Sequence, residues 1–267
     1  MRDLVRELTP RRITDEELDA HFSQLPQRYF EIYTPAQIQD DLELAHRFMH
    51  RLILEGARAL APVAAWIDER DRGYSLVKVC TWDRAGLFGK IAGSLSAAGL
   101  NILGAQIFTR ADGIALDTFF VNDARTGNLA EKGQREKFSD LLEEVLTGGE
   151  VDFRALIARQ TAARSGYSAY FGERMETQVR FDNEASDERT LIEIETEDRL
   201  GLLYTISQTL AELDLDIAAA RIVTERGAAI DSFSVSDVDD GKIISPKRLE
   251  HIGASLRAAI GKLETVT

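Results

Sequence analysis

The chain has a single cysteine, Cys80, in 267 residues, which excludes an intramolecular disulfide and a cysteine-built metal site. Cys80 stands in an apolar stretch with strand character, so burial is expected in place of reactivity, and a reducing cytoplasm suits such sparse use. Long apolar runs are missing too: none approaches the roughly 20 residues that span a bilayer. The opening MRDLVRELTPRR carries charge where a secretory signal needs an apolar core. A soluble protein with no membrane partner is expected. Nor is there an excess of positive charge. With 32 basic against 45 acidic residues the net charge is −13, which repels a phosphate backbone unless basic residues cluster on one face. No such cluster occurs, and nucleic acid is not an expected partner.

Catalytic patterns are equally sparse. His46 and His50 lie four apart on a predicted helix, the spacing that puts two imidazoles on one face. No Glu follows His46, no third ligand lies nearby and no His-Asp dipeptide occurs anywhere, so a solvated helix face is expected. His21 and His251 are isolated. Gly89-Lys90 has Ile91 where a phosphate loop needs Ser or Thr. Asp239-Asp240-Gly241 reads as a turn, and Cys80 has no paired histidine in sequence. The expectation is no catalytic residue, no metal and no cofactor.

What the chain does have is an internal repeat. DRAGLFGKIAGSLSAAGLNILGAQIFT from Asp83 aligns without a gap with DRLGLLYTISQTLAELDLDIAAARIVT from Asp198, a shift of 115 residues. Asp83 pairs with Asp198, Arg84 with Arg199, Gly86 with Gly201 and Leu87 with Leu202. After one deletion, LDTFFVND from Leu116 answers IDSFSVSD from Ile230. Two copies of one folding unit follow.

Within each copy the periodicity predicts the same order. YSLVKVCTWD alternates loosely and TLIEIETED cleanly, both with the β-branched content of strands. Leu87, Ile91 and Leu95, like Leu202, Ile206 and Leu210, form one helical stripe, and Gly99 stops the first helix. Two strands follow, around a turn at Asp112-Gly113, and Glu131 to Leu146 returns to helical spacing. A further strand is needed, and the shift maps VAAWIDE (63–69) onto QVRFDNE (178–184). Each unit then reads β-β-α-β-β-α, a permuted ferredoxin-like arrangement with helices over one face of a four-stranded sheet.

The expected fold class is α+β, with two such units behind a helical segment. The divisions fall at 1–60 (helical), 61–148 (first unit), 149–174 (helical, then a Ser/Ala/Gly linker) and 175–267 (second unit). In the first segment, Thr14 with Glu17 and Thr34 with Gln37 are capping boxes. Leu42, Ala45, Phe48, Met49, Leu52 and Ile53 form one buried helical face.

The repeated D-R-x-G-L puts a glycine where a strand turns into a helix. That is either a tight turn alone or a helix N-terminus whose N–H groups receive a carboxylate, with Asp83 or Asp198 close enough to attract an ammonium. These stretches resemble the two ACT domains at the C-terminus of the bifunctional PII uridylyltransferase/uridylyl-removing enzymes. LPQRYFEIYTPAQI resembles the helical stretch that joins that family's phosphohydrolase domain to its ACT pair. The resemblance implies glutamine sensing that switches uridylylation of a nitrogen-signalling protein. It places ligand contacts on Asp83, Arg84, Gly86, Leu87 and Phe88 with Asn101 and Ile102, and on Asp198, Arg199, Gly201, Leu202 and Leu203 with Asp216 and Ile217. The family's Gly-Ser with Asp-x-Asp centre and its His-Asp motif are absent: Gly93-Ser94 sits in a predicted helix with no Asp-x-Asp following it nearby, and Asp214 to Asp216 lies in the second repeat. The partners implied are an amino acid, glutamine favoured, a uridylyltransferase catalytic partner and a homodimer through the ACT sheets. Two rival expectations stand beside this one: a truncated or split uridylyltransferase supplying its regulatory half, and a module that serves dimerisation alone.

Overall fold

The computed structural model describes residues 1–55, 60–164, 175–225, 227–237 and 241–264. Asp239, Asp240 and most of the expected Ser/Ala/Gly linker lie outside the described residues. Four helices come first: α1 Arg2–Leu8, α2 Asp15–Gln24, α3 Gln27–Ile32 and α4 Pro35–Glu55. The first repeat is β1 Val63–Glu69, β2 Tyr74–Trp82, α5 Leu87–Ala97, β3 Leu100–Gln106, β4 Ile114–Asp123 and α6 Lys132–Leu146. Helix α7, Phe153–Arg164, follows. The second repeat is β5 Gln178–Asp182, β6 Thr190–Glu197, α8 Leu202–Glu212, β7 Leu215–Arg221, β8 Thr224–Glu225, β9 Ala228–Asp237 and α9 Pro246–Glu264.

Both repeats are antiparallel sheets with the expected β-β-α-β-β-α order. The first runs β1-β2-β4-β3 and the second β5-β6-β9-β7, with β8 added against β9, so the second sheet has five strands where four were expected. The copies share details that periodicity does not encode. Each edge strand is bulged at the same place, between Ile102 and Gly104 in β3 and between Ile217 and Ala219 in β7. Each first repeat helix ends in a left-handed residue: Gly99 in one copy (φ 83°) and, 115 residues on, Asp214 in the other (φ 56°). An aspartate tolerates that conformation better than most side chains.

The two sheets differ in what covers them. Val77, Val79, Ala115, Phe119 and Val121 face α5 and α6, whereas Cys80, Ile114, Leu116 and Phe108 pack against the N-terminal helices through Tyr29, Ile38, Leu42 and Phe48. Helices therefore cover both faces of the first sheet, not one. This explains the loose alternation of β2, a strand buried on both faces, of which seven of nine residues are fully buried. Strand β6 alternates between buried and partly open positions because, among the described residues, no helix covers its outer face. In α4 the buried stripe is narrower than expected: Leu42, Ala45 and Phe48 are inside, while Met49 and Ile53 are exposed.

The copies meet within the chain. Helix α5 packs along α8, and strand β3 runs beside β7. The approach depends on glycine: a Cβ built at Gly89 would stand 3.2 Å from Ser207 Cβ, and one at Gly93 would stand 2.8 Å from Phe153 Cγ and 2.9 Å from Tyr204 Cδ2. Phe88 bridges the two cores, its ring 5.7 Å from Phe119 and 6.2 Å from Phe233.

Candidate functional site

In both copies the D-R-x-G-L turn is the strand-to-helix junction. Gly86 (φ 72°) and Gly201 (φ 85°) are left-handed N-caps without a side-chain cap, a backbone that glycine adopts at no steric cost. The turn closes on itself in the same way twice: Leu87 N–H donates to Arg84 O and Leu202 N–H to Arg199 O, each at 3.0 Å. Those two amides are thus already engaged.

The second turn lies in a small pocket between the copies. Asp198, Arg199, Gly201, Leu202 and Leu203 line one side, and Asn101 and Ile102 of the first copy line the other with Ser96. Asn101 Nδ2 donates to Asp198 Oδ2 at 3.0 Å across the junction. The cavity volume is about 10 Å³, room for about one water molecule. A whole amino acid enters only if the pocket widens.

Residues placed by resemblance around the first turn are arranged otherwise. Asp83 accepts from Thr109 Oγ1 at 3.1 Å, and Arg84 donates to Leu146 O at 2.7 Å, tying the turn to the end of α6. Leu87 and Phe88 are core residues. Asp216 is exposed and Ile217 half-buried, and a Cβ built at Gly86 meets nothing within 4 Å. The two turns differ because α7 covers only the second: Ile157 Cγ2 would lie 2.8 Å from a Cβ at Gly201, and Phe153, Ile157 and Leu200 form a small core of their own.

Sequence reading missed an acidic residue of the pocket. Asp231 on β9 is 1% exposed, lines the cavity and has no hydrogen-bond partner on either carboxylate oxygen. Burial, reinforced by the nearby Asp198, pushes its pKa up to about 8; the Val223 backbone N–H offsets this only in part and falls short of a hydrogen bond. Its repeat counterpart Asp117 is buried too, and burial together with Asp83 holds it well above the usual carboxylate range. The signal was present in the repeat: both LDTF and IDSF put an aspartate at the position whose neighbours two residues away face the core.

A second polar constellation lies under the N-terminal helices. Tyr29 donates to Asp41 at 2.7 Å, Asp41 accepts from Lys78 at 2.7 Å, and His21 Nε2 stands 3.3 Å from the Tyr29 hydroxyl. His46, expected on a solvated face, is instead partly buried against Glu17 at 2.6 Å. Among the described residues no three His, Cys, Asp or Glu side chains come together as metal ligands, and no helix is long and apolar enough to cross a membrane.

Comparison with known proteins shows what the chain is similar to. The model of the family described as "ACR9-like, ACT-like domain" matches residues 178–266. The chain is 34% identical over 252 residues to the bifunctional uridylyltransferase/uridylyl-removing enzyme of Rhodospirillum rubrum, spanning 92% of this chain and 26% of that one. It is 37% identical to the enzyme of that name from Azospirillum brasilense (72% of this chain, 20% of the relative) and 34% identical to that from Gluconobacter oxydans (74% and 20%). The chain therefore spans about a fifth to a quarter of the length of these relatives. It is homologous to part of the bifunctional uridylyltransferase/uridylyl-removing enzymes, and its second unit is an ACT-like domain.

Proposed function

We propose that the chain is a regulatory sensor: a free amino acid, glutamine favoured by family resemblance, binds between units 61–148 and 175–267 and biases a uridylyltransferase catalytic partner. The observation that supports this reading is the pocket in which the second D-R-x-G-L turn meets Asn101 and Ile102, joined by the Asn101–Asp198 hydrogen bond. A ligand larger than the present cavity has to part those two residues, and they belong to different repeats. Entry then changes how the repeats sit together, which is the differential contact that a ligand-driven population shift requires. Couplings of this kind amount to about 1–3 kcal/mol. The reading assigns no catalytic residue to this chain.

Calorimetric titration with each of the twenty amino acids tests the proposal. Glutamine is expected to bind wild type and to bind Asn101→Ala with altered affinity. A substitution at Gly201 is the wrong probe, because the turn's positive φ and Ile157 would respond even with no ligand present. Absence of binding by any amino acid at millimolar concentration would contradict the sensing role.

A further inference from the structure

An acid that stays buried with neither oxygen hydrogen-bonded is costly to keep and is suited to receive a donor. Asp231 is that acid. It lines the small cavity at the second turn together with Asp198, Asn101 from β3 and Thr224 from β8. The cavity's charged groups are Asp198 and Arg199, and Arg199 is paired with Glu197 at 2.6 Å. Asn101 donates to Asp198 through its amide nitrogen. The polar side chains of the lining are two carboxylates, Asp198 and Asp231, the Asn101 amide, the Ser96 and Thr224 hydroxyls and the Arg199 guanidinium, around a space of water-molecule size.

A protonated amine head, R–NH3⁺ or ammonium itself, matches that space in size and matches the two carboxylates in donors and charge. We propose that Asp231 is the residue that receives the protonated amine of the ligand bound between the repeats. This rests on the sensing reading in locating the ligand, and extends it to a residue and a ligand group. The step is a proton displacement: the amine arrives with its positive charge, the Asp231 carboxyl O–H bond breaks, its electron pair stays on the carboxylate and the proton passes to solvent. No other bond changes. With a carboxyl pKa of about 8 in the empty pocket, about 0.9 proton is released per amine bound at pH 7, and affinity rises about ninefold from pH 6 to pH 7.

The experiment is calorimetry of the full chain with L-glutamine and, separately, ammonium chloride, against sodium chloride at equal ionic strength. Each titration is run at pH 7 in phosphate and in MOPS, whose ionisation enthalpies differ enough to count protons. Release close to 0.9 with an amine probe, lost in Asp231→Asn and kept in Asp187→Asn, an exposed position of the same repeat, supports the assignment. Should Asp231→Asn fail to fold, the carboxyl carbon resonance of Asp231, followed by NMR as the amine is added, replaces it: a shift to the ionised position supports the assignment and an unchanged resonance overturns it. Glutamine binding without proton release overturns the Asp231 assignment and leaves the sensing reading intact. Proton release with ammonium chloride but no binding of any amino acid keeps the assignment and overturns sensing. Equal release with sodium chloride overturns the choice of an amine, and no binding of any probe overturns both.

Discussion

His21 is fully buried, with one ring nitrogen beside the Tyr29 hydroxyl and the other, Nδ1, without a partner. Burial, with Arg110 and Lys78 adding positive charge nearby, depresses its pKa to about 3. The folded state thus binds fewer protons than the unfolded chain between about pH 6.5 and 3. The stability this represents is complete above pH 6.5 and is lost as pH falls toward 3. Between pH 7 and 4.5 the loss is about 2–3 kcal/mol. Urea unfolding of wild type and His21→Leu at both pH values should show that loss in wild type alone, and equal pH slopes in the two proteins would contradict it. Nothing in the sequence announced this residue, since its burial comes from the packing of α2 and α3 over the first sheet. The Lys78–Asp41 pair hid for a similar reason: the two residues are 37 apart, and a lone polar residue in a strand reads as an outward one. Asp117 and Asp231 were readable in principle, because a repeat shows the same inward aspartate twice.

At the scale of elements, the 115-residue shift made most of the fold legible. The strand at 63–69, placed by mapping alone, is β1 with those bounds, and the helices around Leu87, Leu202 and Leu249 form where the apolar stripes predict them. Covering was not legible, because which helix lies on which sheet depends on contacts between distant segments. Yet a trace of it stood in the strands: YSLVKVCTW is apolar on both faces and TLIEIETE on one. Helix α7 was expected, but its role in capping the second turn was not. Glycine packing gives the element-scale prediction. Gly93→Ala drives a methyl group into Phe153 and Tyr204, and an overpacked contact of this kind costs about 1–3 kcal/mol. Gly133, near the start of α6, has nothing within 4 Å of a built Cβ, so Gly133→Ala should stabilise by about 0.5–1 kcal/mol through helix propensity. Thermal melts of the two variants should move in opposite directions; a shift of the same sign in both would count against the packing described at α5.

For the molecule as a whole, the shared core through Phe88 predicts a single unfolding unit. Both tryptophans, Trp66 and Trp82, lie in the first repeat, so their fluorescence reports that half while far-ultraviolet circular dichroism reports both. The two urea midpoints should coincide, as two-state behaviour requires. Fluorescence lagging behind ellipticity would mean that the second repeat melts alone.

The glycines of α5 carry one more consequence. The repeat shift sets Gly89 against Tyr204 and Gly93 against Gln208, so the hollow on one helix and the ring that fills it occupy non-equivalent positions of the two copies. Two first repeats brought together by this surface would set hollow against hollow and leave a void; two second repeats would have a ring with no recess to enter. The duplicated halves are therefore no longer interchangeable parts. Each selects the other and rejects its own kind, so in a crowded population of these chains pairing of α5 with α5 or of α8 with α8 between molecules is disfavoured.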